Sequence, residues 1–98
     1  MKLRLEDGTE LFYTIDDFTD PWTEPETVVM HHGMAKNHKM WFAWVPIIAR
    51  HYRVVRFDMR GMGLSDVSGP EHAWTLNSFT DDLKEFVDKM ELERFHLI

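Results

Sequence analysis

Two short segments hold the side chains best able to do chemistry: His31-His32-Gly33-Met34-Ala35-Lys36-Asn37 and Asp58-Met59-Arg60-Gly61-Met62-Gly63-Leu64-Ser65-Asp66. The first joins two imidazoles, groups that exchange protons near neutral pH, to a glycine that lets the chain turn without a Cβ clash. The second sets a carboxylate, a guanidinium and a hydroxyl on one tight loop. Its Gly61-x-Gly63 spacing is superficially that of a phosphate cradle. No glycine-rich turn opens directly into a helix, however, and the lysine of a P-loop is missing, so dinucleotide binding is not expected. The six histidines are scattered apart from His31-His32, and no HExxH-type ligand spacing occurs. No metal site and no cofactor are therefore expected.

Positioning these segments requires strands that end just before them. Thr27 to Met30 is a short apolar run of the kind a strand buried on both faces presents, and Tyr52 to Phe57 gives another buried strand. Each runs directly into one of the two chemical segments, and in open α/β sheets ligands bind at the carboxyl ends of strands. Upstream, residues 2–16 alternate: Leu3 and Leu5 share a face, and Leu11, Tyr13 and Ile15 share a face. Asp7-Gly8 between them predicts a two-residue hairpin turn. Asp16 to Glu26, with two prolines and five acidic residues, reads as an exposed loop.

Between the two buried strands lie Trp41, Phe42, Trp44, Val45, Ile47 and Ile48, helical in spacing but interrupted by Pro46. Proline is favoured in a helix's first turn. A one-turn helix over Met40 to Val45 and a second starting at Pro46 are expected. After a loop from Asp58 to Ala73, Leu76, Phe79, Leu83, Phe86 and Met90 recur at spacings of three and four. They predict an amphipathic helix capped by Thr75. Phe95 to Ile98 begin a further strand. The order hairpin, strand, helix, strand, helix, strand implies an α/β fold with parallel strands joined by crossover helices.

Composition removes several function classes. A formal charge of −6 with no Lys/Arg cluster is a poor match to polyphosphate, so no nucleic-acid partner is expected. No apolar run approaches the roughly 18 residues of a membrane span, and the opening MKLRLEDGTE alternates apolar and charged residues where a signal peptide would be apolar. The absence of cysteine agrees with a reducing compartment, and a cytoplasmic protein with no membrane partner is the expectation. Neutral small molecules are the better-matched substrates.

Taken together, His32-Gly33-Met34, Trp41, Val54-Val55-Arg56-Phe57 and Asp58-Met59-Arg60-Gly61-Met62-Gly63-Leu64-Ser65 resemble the N-terminal pattern of the α/β-hydrolase superfamily. The likeness continues through the Thr75 to Met90 helix to Ile98, and so covers essentially the whole chain. It implies an α/β-hydrolase fold in which residues 1–98 are the N-terminal part of a single domain, ending just before the nucleophile elbow.

The resemblance also implies roles. In that family the backbone N–H of the residue after His-Gly points at the developing oxyanion, partnered by the N–H following the nucleophile. Here that residue is Met34, with Gly33, Met34 and Trp41 expected to touch substrate. His32 would brace the oxyanion loop by hydrogen bonds, while Asp58, Arg60 and Ser65 would hold the second loop. His38 and Lys39 are expected at the rim of the site. The family's nucleophile, acid and catalytic histidine would lie beyond residue 98, leaving this chain inactive by itself. They would be supplied by the C-terminal remainder, as a second chain or as further sequence.

Within the superfamily, a dehalogenase would want Asn where Met34 stands, and epoxide hydrolases generally carry Pro at the position of Ala35. Met40-Trp41, Pro46 and Tyr52 to Asp58 are most similar to esterases and enol-lactone hydrolases. The expected activity is hydrolysis of a small-molecule carboxylic ester or lactone by a Ser-His-Asp mechanism. An Asp-nucleophile enzyme acting on epoxides or halides is the alternative, and a non-catalytic binding protein on the same scaffold is a third. Association into a homo-oligomer is left open.

Overall fold

A computed structural model describes residues 1–69 and 71–98; Pro70, inside the loop expected over Asp58 to Ala73, lies outside the described residues. The expected order of elements is realised. Five strands, β1 (Lys2–Arg4), β2 (Glu10–Asp16), β3 (Thr27–His31), β4 (Arg53–Phe57) and β5 (His96–Leu97), form one sheet in the order β1-β2-β4-β3-β5. β1 pairs antiparallel with β2, and β2 antiparallel with β4, while β3 runs parallel to both β4 and β5. In register, Val28 stands beside Val54 and Val29 beside Val55.

The valines of the central pair, with Met30 and Phe57, are buried on both faces of the sheet. Successive side chains point to opposite sides of a strand, so Val28, Met30 and Val54 pack on one face against Val45 and Ala49. Val29, Val55 and Phe57 pack on the other against Phe79, Phe86 and Val87. The first face is covered by α1 (Val45–Ile48), the second by α2 (Leu76–Lys89). Phe57 and Phe86 stack with centroids 4.6 Å apart. Each such fully buried side chain contributes roughly 1.5–3 kcal/mol relative to exposure.

Local departures from the sequence reading have identifiable causes. The hairpin loop has three residues, not two: Leu5 N–H donates to Thr9 O at 2.8 Å and Gly8 N–H to Leu5 O at 3.0 Å. Gly8, at φ +91°, supplies the left-handed residue that closes such a three-residue loop. The first helical turn is a 3₁₀ turn at His38–Trp41, earlier than Met40, because Asn37 caps it by accepting from Lys39 N–H. The second helix starts at Val45, which puts Pro46 within its first turn.

The long helix α2 matches its reading. Thr75 Oγ1 accepts from Ser78 N–H at 3.1 Å, and Ser78 Oγ accepts from Thr75 N–H at 3.2 Å, a reciprocal capping box. Phe79, Leu83, Phe86 and Met90 face the core, but Leu76 is 81% exposed at the helix's first position. No helix among the described residues is long and apolar enough to cross a membrane.

Candidate active site

β3 delivers the chain to a turn at Gly33-Met34-Ala35-Lys36, in which Lys36 N–H donates to Gly33 O at 3.1 Å. Ala35 sits at φ +62°, while Met34 is not in the left-handed region. Together these define a type II-like turn with Met34 at its second position, where the backbone N–H is not used by the turn. Among the described residues none accepts that N–H. The Met34 side chain is 65% exposed.

His32 holds the start of this turn. It is buried, and both ring nitrogens are engaged: Nδ1 lies 2.8 Å from Gly33 O, and Nε2 accepts from Met59 N–H at 2.8 Å. A backbone N–H can only donate, so Nε2 carries the lone pair and Nδ1 the hydrogen that goes to the carbonyl. One imidazole thereby ties the segment after β3 to the segment after β4.

The second loop is organised around Asp58, which is fully buried. Its Oδ1 accepts from His38 N–H at 2.6 Å and its Oδ2 from Leu64 N–H at 2.9 Å, while His38 Nδ1 approaches both oxygens at 2.9 and 3.0 Å. Burial is the largest influence on Asp58 and opposes its ionisation. The donors from Leu64 and His38, with the His38 ring beside it, outweigh burial and hold the carboxyl below the usual carboxylate range. Ser65 Oγ donates to Asp58 O at 2.6 Å and accepts from Phe12 N–H at 2.9 Å, sewing the loop to β2.

Arg60 is buried and makes a bidentate pair with Asp82 of α2, at 2.9 Å from both Nε and Nη2. Its Nη1 reaches Asp7 at 2.7 Å, Thr9 at 2.8 Å and Ser68 at 2.7 Å. The Asp82 carboxylate, outweighing the opposing effect of burial together with Asp7, raises the guanidinium pKa above its already high ordinary value. Four residues from three segments of the chain converge on this one side chain.

A cleft of about 480 Å³ opens between the end of β3 and the N-terminal half of α2. His31, His32, Gly33, Met34 and Met59 line one side, and Trp74, Leu76, Phe79 and Leu83 the other. Gly33 and Met34 thus lie together at the cleft. Trp41, expected to touch substrate, does not line this cleft: it packs on the α1 face with Val28, Met30 and Val45, edge-on to Trp44 at 5.4 Å. Its position in the 3₁₀ turn sends the ring to the opposite side of the sheet.

His38 is also relocated, from the rim to a buried site against Asp58. A His–Asp pair can orient a base, but among the described residues no hydroxyl is hydrogen-bonded to the far side of the His38 ring. What the pair does here is anchor the turn after β3 to the loop after β4. Asp82 and Asp7 escaped the sequence reading. An acidic residue on the apolar side of α2 facing an Arg in the glycine loop was the available signal.

The model of the α/β hydrolase fold family matches residues 26–98. The chain belongs to this family. Its relatives include Probable oxidoreductase EphD of Mycobacterium tuberculosis, 39% identical over 64 residues, 65% of this chain and 11% of that protein. Fluoroacetate dehalogenase of a Burkholderia species is 35% identical over 74 residues, 72% of this chain and 24% of that protein. Among solved structures, the enol-lactonase of Burkholderia xenovorans superposes with a TM-score of 0.79 at 28% identity, over 93% of this chain and 34% of that one. The chain thus spans well under half the length of each of these relatives. The family's mixed sheet and helices are the architecture described above.

Proposed function

We propose that this chain is the N-terminal part of a hydrolase acting on a carboxylic ester or lactone, and that Met34 N–H is half of its oxyanion hole. The observation that carries the reading is that N–H: unpaired among the described residues, adjacent to Gly33, and carried by a residue that lines the cleft. A donor fixed before reaction needs no reorganisation as negative charge develops on a carbonyl oxygen, and is worth roughly 3–4 kcal/mol of barrier. The turn around Met34 is fixed by His32 to the β4 loop, and that loop is fixed by Asp58, Arg60 and Ser65. In this reading these four residues support the site without touching substrate.

The second donor, a serine nucleophile, an acid and a histidine come from the C-terminal remainder, as in the family's chain order. The likeness to an enol-lactonase supports the ester or lactone reading. The likeness to a fluoroacetate dehalogenase favours an Asp nucleophile as the second reading. We place the enzyme in the cytoplasm, a reading with which its lack of cysteine agrees.

Treating the complete enzyme with a serine-directed organophosphonate and mapping the adduct separates the two readings. One phosphonyl group on an elbow serine, with loss of aryl-ester turnover, is expected. No adduct, together with halide release from fluoroacetate, would replace the serine reading with the aspartate one.

A further inference from the structure

We propose that His31 is a specificity-determining residue whose Nε2 accepts a hydrogen bond from an O–H or amide N–H donor that the substrate carries close to its reacting carbonyl. The inference rests on the hydrolytic reading above and names the substrate class of that site: esters or lactones bearing such a donor.

The tautomer follows from geometry. His31 Nδ1 lies 2.8 Å from His32 O, and a carbonyl oxygen can only accept, so Nδ1 carries the hydrogen and Nε2 of the neutral ring is a bare lone pair. Burial is the main cause lowering the His31 pKa below the ordinary imidazole value, with the His32 ring adding to it and the His32 carbonyl opposing it, which favours the neutral ring. The ring is held edge-on against Phe57 at 5.3 Å and lines the cleft.

Elimination then singles out Nε2. Among the described residues it has no partner, yet it is not one of the unpartnered polar atoms sealed from solvent, so it is reachable. The other polar side chains lining the cleft are engaged. Both nitrogens of His32 are committed to backbone, Thr75 Oγ1 caps α2, and Thr80 Oγ1 donates to Leu76 O at 2.9 Å. Apart from the indole N–H of Trp74, the rest of the lining is apolar, from Met34, Met59, Leu76, Phe79 and Leu83, with no carboxylate. A cleft that holds the Met34 N–H donor and the free imidazole acceptor of His31 complements a carbonyl with a hydrogen-bond donor beside it.

In the complete enzyme, kcat/KM for methyl 2-hydroxypropanoate should exceed that for methyl propanoate roughly five- to tenfold, the worth of one neutral hydrogen bond. The ratio should fall to about one in His31→Leu and partly recover in His31→Gln, whose amide oxygen can accept. The same ratio in wild type and His31→Leu would overturn the proposal. A ¹⁵N NMR measurement on wild type reads the contact without turnover. The Nε2 resonance should be that of an unprotonated ring nitrogen and should move on adding methyl 2-hydroxypropanoate but not methyl propanoate. A protonated Nε2, or an unmoved resonance, overturns the proposal. Movement without turnover of either ester would instead refute the hydrolytic reading and leave the His31 contact standing.

Discussion

Replacing Gly63 by alanine should come close to unfolding the protein, and the size of that effect follows from two features of the site. Gly63 lies at φ +54°, where a side chain costs roughly 1–2 kcal/mol. A Cβ there would also overlap the Asp58 carboxyl carbon and lie 2.7 Å from Oδ1. Asp58 is fully buried, so its carboxylate can yield only by giving up donors among Leu64 N–H, His38 N–H and the His38 ring. Hydrogen bonds to a charged group are worth about 1.5–3 kcal/mol each. Losing one or two of them, together with the backbone strain, gives a destabilisation of about 2.5–8 kcal/mol, a large share of the roughly 5–15 kcal/mol that holds a typical domain.

Two other glycines serve as internal controls. Gly8→Ala carries the left-handed strain, at φ +91°, with nothing within 4 Å of the new Cβ, and should cost about 1–2 kcal/mol. Gly33→Ala meets nothing within 4 Å and has no left-handed φ, so it should stay within about 0.5 kcal/mol of wild type. Urea unfolding followed by tryptophan fluorescence measures all three. If Gly63→Ala costs no more than Gly8→Ala, Asp58 is not the anchor of the loop.

Further predictions follow from the same contacts. Arg60→Met leaves Asp82 and its buried carboxylate unpaired and should lower the unfolding free energy by about 3–5 kcal/mol in urea titrations. Arg60→Lys should recover little of it, because an ammonium cannot reproduce the planar bidentate pair. Acid should destabilise the protein in a defined window. Burial raises the Asp7 carboxyl, but Thr9 and Arg60 outweigh it and lower its pKa from 3.8 to about 2 in the folded state, and Asp58 is lowered in the same direction. Their stabilising contribution is complete above the unfolded pKa and is lost as pH falls from about 4 toward 2. Urea midpoints measured across that range should drop, and Asp7→Asn should shallow the slope; an unchanged slope would contradict the Asp7 assignment.

Much of this architecture was legible in the sequence because periodicity reports which faces are buried. The apolar run of β3, the paired valines of β4 and the three-and-four spacing of α2 each required a particular environment, and each has it. What periodicity does not report is partnership across the fold. Arg60 meets Asp7 53 residues away and Asp82 22 residues away, and His38 leaves the surface only because Asp58, 20 residues on, offers its carboxylate. The place of Trp41 was not legible for a related reason. The face it occupies depends on the 3₁₀ turn starting at His38, which side-chain spacing around Pro46 did not indicate. The place of Met34 was expected instead from the resemblance of His32-Gly33-Met34 to the family's pattern, and the residue lines the cleft.

Deleting the Met34 N–H tests the central claim most directly, and the turn permits it. Proline is favoured at the second position of a type II turn, so Met34→Pro removes the donor while suiting the backbone. Measured in the complete enzyme on an aryl ester, with unfolding followed in parallel and Met34→Leu as the side-chain control, kcat for Met34→Pro should fall roughly 10²- to 10³-fold with little loss of stability. Met34→Leu, which keeps the N–H, should fall far less. Equal kcat values for the Pro and Leu variants, with both proteins folded, would contradict the assignment of Met34 N–H to the oxyanion hole.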